Sequence, residues 1–123
     1  MAVGIGTDIV QVIRISNVLE RQGRAFAERV LCDNELTIFD AKKQQAAYLA
    51  KRFAAKEAAS KALGTGIGKI SWQDMEITNN DDGAPQLHLT GAAADRLSEL
   101  GGSQALLSLS DEKEYVVAFV VLS

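Results

Sequence analysis

From Gln44 to Leu63 the chain is rich in alanine, carries no proline, and is closed by Gly64, which makes it the strongest helix signal in the sequence. Whatever this helix packs against sets the fold. The segment Ala2–Val10 alternates, with Val3, Ile5, Thr7 and Ile9 on one face and Gly4, Gly6 and Asp8 on the other. It reads as a strand whose second face is bare as far as Asp8. A bare strand face lets another backbone or a ligand approach closely. Two readings follow: a packed helix with Asp8 capping the next turn, or a ligand held at Asp8.

The rest of the chain supplies further helices and two hairpins. Ile15, Leu19, Phe26 and Val30 recur at helical spacing between Ile13 and Val30, with Gly23 as a point of division. Asp33 or Asn34 caps a short helix through Asp40. Asp74–Thr78 and Gln86–Thr90 form a hairpin around the turn-rich Asn79–Pro85, and Ala92–Leu100 forms a short helix ended by Gly101 and Gly102. Ala105–Ser110 and Tyr115–Leu122 form the second hairpin. With 123 residues and no repeat or linker, the chain reads as one domain, 1–123, of α+β class with a mostly antiparallel sheet.

Charge and composition exclude several function classes. The net charge is −3, yet the stretch from Arg14 to Lys69 carries eleven of the 13 Lys and Arg and six of the 16 Asp and Glu, a balance of +5 against −8 elsewhere. A pI near 5.1 and few aromatics among the basic residues argue against nucleic acid; a phosphorylated small molecule or an acidic protein fits better. The longest apolar run, Tyr115–Leu122, is far short of the roughly 18–20 residues that span a bilayer, and the start lacks a signal-peptide pattern. The expectation is a cytoplasmic protein without membrane contact. Cys32 is the one cysteine and His88 the one histidine. Cys32 reads as a small buried residue and His88 as solvent-facing, so neither a Ser-His-Asp system nor a zinc cluster is indicated.

The segment Arg52-Phe53-Ala54-Ala55-Lys56-Glu57-Ala58-Ala59-Ser60-Lys61-Ala62-Leu63-Gly64-Thr65-Gly66-Ile67-Gly68 carries the chemistry. Phe53, Glu57, Ser60 and Gly64 share a helical stripe about 60° wide, and Lys61 stands one turn beyond Glu57. A carboxylate beside an apolar stripe is costly to desolvate unless a cation compensates it. Lys61 alone can do so. Alternatively, if the long helix packs on the glycine face of the first strand, Asp8 and Glu57 converge as two of the oxygen donors with which proteins commonly hold Mg²⁺ beside a substrate phosphate. Gly64-Thr65-Gly66-Ile67-Gly68 fits neither a Walker loop nor a dinucleotide fingerprint; it reads as a helix cap whose N–H groups can form an anion nest. Arg14, Arg21 and Arg24 fall within about 80° on a helical wheel, either as a solvated face or as a docking face.

Gly4-Ile5-Gly6-Thr7-Asp8-Ile9-Val10 and the Arg52–Gly68 segment together resemble the holo-acyl-carrier-protein synthases, the short bacterial class of 4'-phosphopantetheinyl transferases, and the resemblance runs along nearly the whole chain. It implies transfer of 4'-phosphopantetheine from coenzyme A to a serine of acyl carrier protein, a step of fatty acid biosynthesis that releases adenosine 3',5'-bisphosphate. It implies Asp8 and Glu57 as Mg²⁺ ligands, Glu57 and Lys61 as catalytic groups, and Lys61 as the phosphate-contacting lysine. Arg52, Gly64, Thr65, Pro85 and Ser110 are implied at coenzyme A, and Arg14, Arg21 and Arg24 at the carrier protein. It further implies a homotrimer with sites between subunits, one giving Asp8, Glu57 and Lys61 and the next giving residues near Pro85 and Ser110. One departure stands out: Ser108-Leu109-Ser110 is followed by Asp111 where many members have histidine.

Overall fold

The structure, a computed structural model, describes residues 1–123. The chain begins with strand β1 (Gly4–Gln11), followed by helices α1 (Val12–Gln22), α2 (Arg24–Val30), α3 (Asp33–Ala41) and α4 (Gln45–Leu63). A single 3-10 turn, Trp72–Asp74, leads into β2 (Met75–Asn79) and β3 (Pro85–Leu89), then α5 (Gly91–Glu99), β4 (Ala105–Asp111) and β5 (Tyr115–Leu122). Every strand pairing is antiparallel, in a three-stranded sheet of order β1-β5-β4 and a separate β2-β3 hairpin, which confirms the α+β expectation.

α4 is the axis of the molecule. Its buried positions, among them Leu49, Ala55, Ala59, Ser60 and Leu63, occur all round the helix instead of along one stripe, as expected of a helix enclosed on several sides. One side lies on β1 and β5. A Cβ on Gly6 would collide with the Ala58 carbonyl oxygen and stand 2.6 Å from the Ala62 nitrogen, and one on Gly4 would strike the Ala62 carbonyl. The two glycines therefore admit the helix, and β1 meets α4 main chain to main chain.

This contact turns the glycine face of β1 inward and its apolar face outward. Val116, Ala118, Val120 and Leu122 of β5 are buried beneath α4. On the other face, Ile5 and Ile9 remain 64% and 61% exposed, joined by Leu106, Val117 and Phe119. Strand register places Ile5, Val121 and Leu106 in one row and Ile9, Val117 and Ser110 in another. The apolar character of Tyr115–Leu122 thus serves two faces, one packed within the chain and one open.

Two local expectations change. Gly23, at φ 67, divides α1 from α2 as expected, and that division takes Arg24 off the helical wheel it was given with Arg14 and Arg21. The N-cap of α3 is Cys32 in place of Asp33 or Asn34, because the Glu35 carboxylate accepts the Cys32 N–H at 2.9 Å. No helix is long and apolar enough to cross a membrane.

Candidate functional site

The close approach of α4 to β1 brings Asp8, Glu57 and Lys61 together. Asp8 lies on the helix-facing side of β1, the strand at one edge of its sheet. Lys61 Nζ donates to Asp8 Oδ1 at 3.0 Å and to the Thr7 carbonyl oxygen at 3.0 Å. Of the two partners sequence allowed it, the lysine takes the one across the helix–strand contact and leaves Glu57 without an ion pair. Glu57 is half-buried, and its carboxyl is held above the ordinary carboxylate range, first by burial and then by the negative charge of Asp8, with Lys61 pulling the other way. The two carboxylates are thus near enough to repel.

The helix end beneath them is tightly finished. Gly64 adopts the left-handed conformation at φ 75 and donates to the Lys61 carbonyl at 3.0 Å, while the Thr65 and Gly66 N–H groups both reach the Ser60 carbonyl at 3.3 Å. These amides are spent on the cap, which corrects the expectation of a ready anion nest. Thr65 Oγ1 is buried without a hydrogen-bond partner. Arg96 of α5, not anticipated from sequence, donates through Nε to the Leu63 carbonyl at 2.9 Å and places a cation beside Gly64. Its only sequence signal was a basic residue in the last turn of a short helix.

The remaining predicted residues stand elsewhere in the subunit. Arg52 is buried: its Nη2 donates to Asn79 Oδ1 at 3.0 Å, its guanidinium stacks on Tyr48 at 4.7 Å, and Glu35 lies 3.8 Å from its Nε. Within one chain it holds the fold and does not reach Lys61, nine residues and roughly 14 Å along the helix. Pro85 pairs with Asn79 and belongs to that same neighbourhood. Ser110 lies two strands across the sheet from Ile9, on the open apolar face, and Asp111 pairs with Lys51 at 3.4 Å. Arg14 and Arg21 are exposed. Arg24 is bound at 2.9 and 2.8 Å to both Asp40 oxygens and pairs with Glu28, so its charge is largely answered and the three-arginine face reduces to two.

Sequence reasoning did not find the buried pair Glu35 and Lys56. Lys56 Nζ donates to Glu35 Oε1 at 2.7 Å, to the Val30 carbonyl at 2.7 Å and to the Trp72 carbonyl at 3.2 Å. Phe53 stacks on Trp72 at 5.3 Å beside this pair. Cys32 Sγ donates to the Met75 carbonyl at 3.3 Å, and burial pushes its thiol up to about 11, so it is neither a nucleophile nor a metal ligand at neutral pH. His88 is exposed and meets Thr78 Oγ1 at 2.9 Å.

The donor set suits a magnesium ion. Asp8 and Glu57 offer hard oxygens on two rigid elements, and Glu57 has no ion-pair partner of its own. No group of three or more metal-binding side chains is present. A pair of carboxylates completed by water and a ligand phosphate is how Mg²⁺ is usually held, whereas a closed cage favours other ions.

Residues 4–120 match the 4'-phosphopantetheinyl transferase superfamily. The chain is 54% identical over 123 residues to a holo-[acyl-carrier-protein] synthase of Halorhodospira halophila, covering 99% of this chain and 98% of that one. It superposes on the crystal structure of a holo-[acyl-carrier-protein] synthase from Neisseria meningitidis with TM-score 0.92 at 45% identity, covering 100% and 99% of the two chains. A Bacillus anthracis holo-(acyl-carrier-protein) synthase, solved in complex with CoA (3',5'-ADP), superposes with TM-score 0.84 at 42% identity over 99% of this chain and 96% of that one.

Proposed function

The chain belongs to the 4'-phosphopantetheinyl transferase superfamily, and from that premise we infer that it transfers the 4'-phosphopantetheine of coenzyme A to a serine of acyl carrier protein, the apo-to-holo conversion of fatty acid biosynthesis. The observation that carries this reading is the convergence of Asp8, Glu57 and Lys61 where α4 meets the glycines of β1. In the reaction the serine oxygen forms a bond to the phosphorus that bears pantetheine. The bridging oxygen of the pyrophosphate leaves with adenosine 3',5'-bisphosphate, and the serine proton passes to Glu57 or to a water beside it.

Asp8 and Glu57 would hold the magnesium ion. When bound, the ion supplies neutralisation of the pyrophosphate charge that develops during transfer. Lys61 adds a cation on the same side, and its long stem allows it to follow the phosphate oxygens. Glu57 lies beside the site at which the serine hydroxyl would attack and could take its proton directly or through a water. Arg14 and Arg21, exposed on α1, favour an acidic carrier protein by complementary charge.

The open sheet face supports a homotrimer. Ile5, Ile9, Leu106, Val117 and Phe119 form an apolar surface that a soluble monomer would expose, and a closed ring of three copies would cover it. The same assembly would bring the neighbourhood of Pro85 and Ser110, and with it Arg52, toward the Asp8 site of the next subunit. Such a site lies in the cytoplasm, with both substrates.

The test is mass spectrometry of apo acyl carrier protein after incubation with the purified protein, coenzyme A and Mg²⁺. The expected result is a gain of one phosphopantetheine on the carrier serine, absent in chelator. An unmodified carrier overturns the reading. Sedimentation of an active monomer overturns the trimer, as does failure of a Glu57 variant and a Ser110-Asp111 variant to complement each other after confirmed subunit exchange.

A further inference from the structure

Lys61 stands where a cation on Asp8 would stand. Its Nζ takes one Asp8 oxygen and the Thr7 carbonyl at the outer edge of β1, both at 3.0 Å. The two partners differ in freedom, because the Asp8 side chain is 15% exposed and fixed by its strand while the Lys61 side chain is 53% exposed. The fold therefore holds the anion, and the cation reaches it on a flexible stem from the solvent side. Glu57, one helical turn away, makes no ion pair and is left for another positive group.

Both an ammonium and a divalent ion need the lone pairs of the Asp8 carboxylate, and positive charges a few ångströms apart repel strongly in a half-buried site. With no phosphate nearby, an arriving ion competes with Lys61 for the Asp8 carboxylate, and the ammonium it repels has only water to go to. With a pyrophosphate present, the displaced ammonium gains an anionic partner at once. By reciprocity, a ligand that draws Lys61 away from Asp8 strengthens ion binding by the same factor as the ion strengthens the ligand.

We propose that Lys61 is a displaceable stand-in for the divalent ion, occupying Asp8 while the site is empty and moving to the pyrophosphate when the ion and coenzyme A bind together. The inference rests on the assignment of Asp8 and Glu57 as ion ligands and adds an order to their use. The free protein holds the ion weakly, and coenzyme A and the ion bind cooperatively, so the carboxylate pair is not filled before the phosphate arrives.

The experiment is an Mn²⁺ titration of the full-length protein, with free Mn²⁺ read by electron paramagnetic resonance, with and without coenzyme A and without carrier protein. Relative to the unaltered chain, Lys61→Met is expected to bind Mn²⁺ about tenfold more tightly in the absence of coenzyme A and to lose most of the further tightening on its addition. Lys61→Arg, which keeps the competing charge, is expected to bind as weakly as the unaltered chain. Asp8→Asn is expected to bind more weakly than all three, and circular dichroism confirms that each variant is folded. Equal or weaker Mn²⁺ binding by Lys61→Met, with Asp8→Asn still impaired, overturns the stand-in while sparing the ion site. Unimpaired binding by Asp8→Asn overturns both.

Discussion

Of the three ammonium groups on helix α4, two that stand five residues apart, Lys56 and Lys61, meet opposite fates. Lys56 is fully buried, and its contacts to Glu35, Val30 and Trp72 use all three of its protons. Its partner is just as saturated, since Glu35 also accepts the Cys32 and Ile77 N–H groups at 2.9 Å. That pair ties α3, α4, β2 and the 3-10 turn into one unit and offers nothing to a ligand. Lys61 reaches a single carboxylate at a strand edge, beside a second carboxylate that has no ion pair. Saturation, more than charge or position along the helix, separates the group that builds the fold from the group left open to a ligand.

The largest expected effect would break the comparison at its buried end. Glu35→Ala strands the Lys56 charge in the interior and should cost about 3–5 kcal/mol of stability in urea unfolding. A loss below about 1 kcal/mol would show that the pair is not closed. At the open end, Glu57→Gln should leave the unfolding midpoint almost unchanged while lowering turnover of carrier protein by about a hundredfold or more, equivalent to about 2.7 kcal/mol of barrier. Comparable losses of stability in both variants would erase the distinction between the two clusters.

Smaller effects sharpen it at the surface. Reversing Arg14 and Arg21 to Glu should raise KM for acyl carrier protein by up to about tenfold, at no more than ~1 kcal/mol for each exposed charge, with little change in KM for coenzyme A. Added salt should imitate the variant. Reversing Arg24 should add little, because Asp40 and Glu28 already answer it. The smallest effect is on pH and stability. Hydrogen bonding from Arg24 holds the Asp40 carboxyl below its usual range. The pair therefore stabilises the fold above the unfolded carboxyl value and loses that contribution as pH falls through the lowered folded value. Melting curves of the unaltered chain and Asp40→Asn should differ slightly at neutral pH and converge in acid.

What could be read from sequence were features with a local period. Alternation exposed the bare face of β1, and the helical repeat set Glu57 beside Phe53, so the meeting of Asp8 and Glu57 was available as one of two readings. Choices decided between elements were not readable. Lys61 had a helical neighbour in Glu57, and its preference for Asp8 depends on how deeply Gly6 lets the helix settle. The Glu35–Lys56 pair joins residues 21 apart, and no periodicity marks a charge as buried when its partner lies that far away. The enclosure of Arg52 was hidden for the same reason: Tyr48, Glu35 and Asn79 surround it from three elements. The arginine wheel set Arg14, Arg21 and Arg24 on one helix although Gly23, itself a point of division, turns the backbone to positive φ between them.

The bare glycines of β1 also act as a gauge. A layer of side chains between strand and helix would relax when a neighbour changed, because rotamers adjust. Main chain pressed on main chain has no such slack, and a single methyl at Gly6 would have to push α4 away from the strand as a body. The spacing of the two backbones that carry Asp8 and Glu57 is thereby fixed, and only side-chain rotation is left to adjust the carboxylates. The absence of two side chains sets the fixed distance across which both carboxylates must reach.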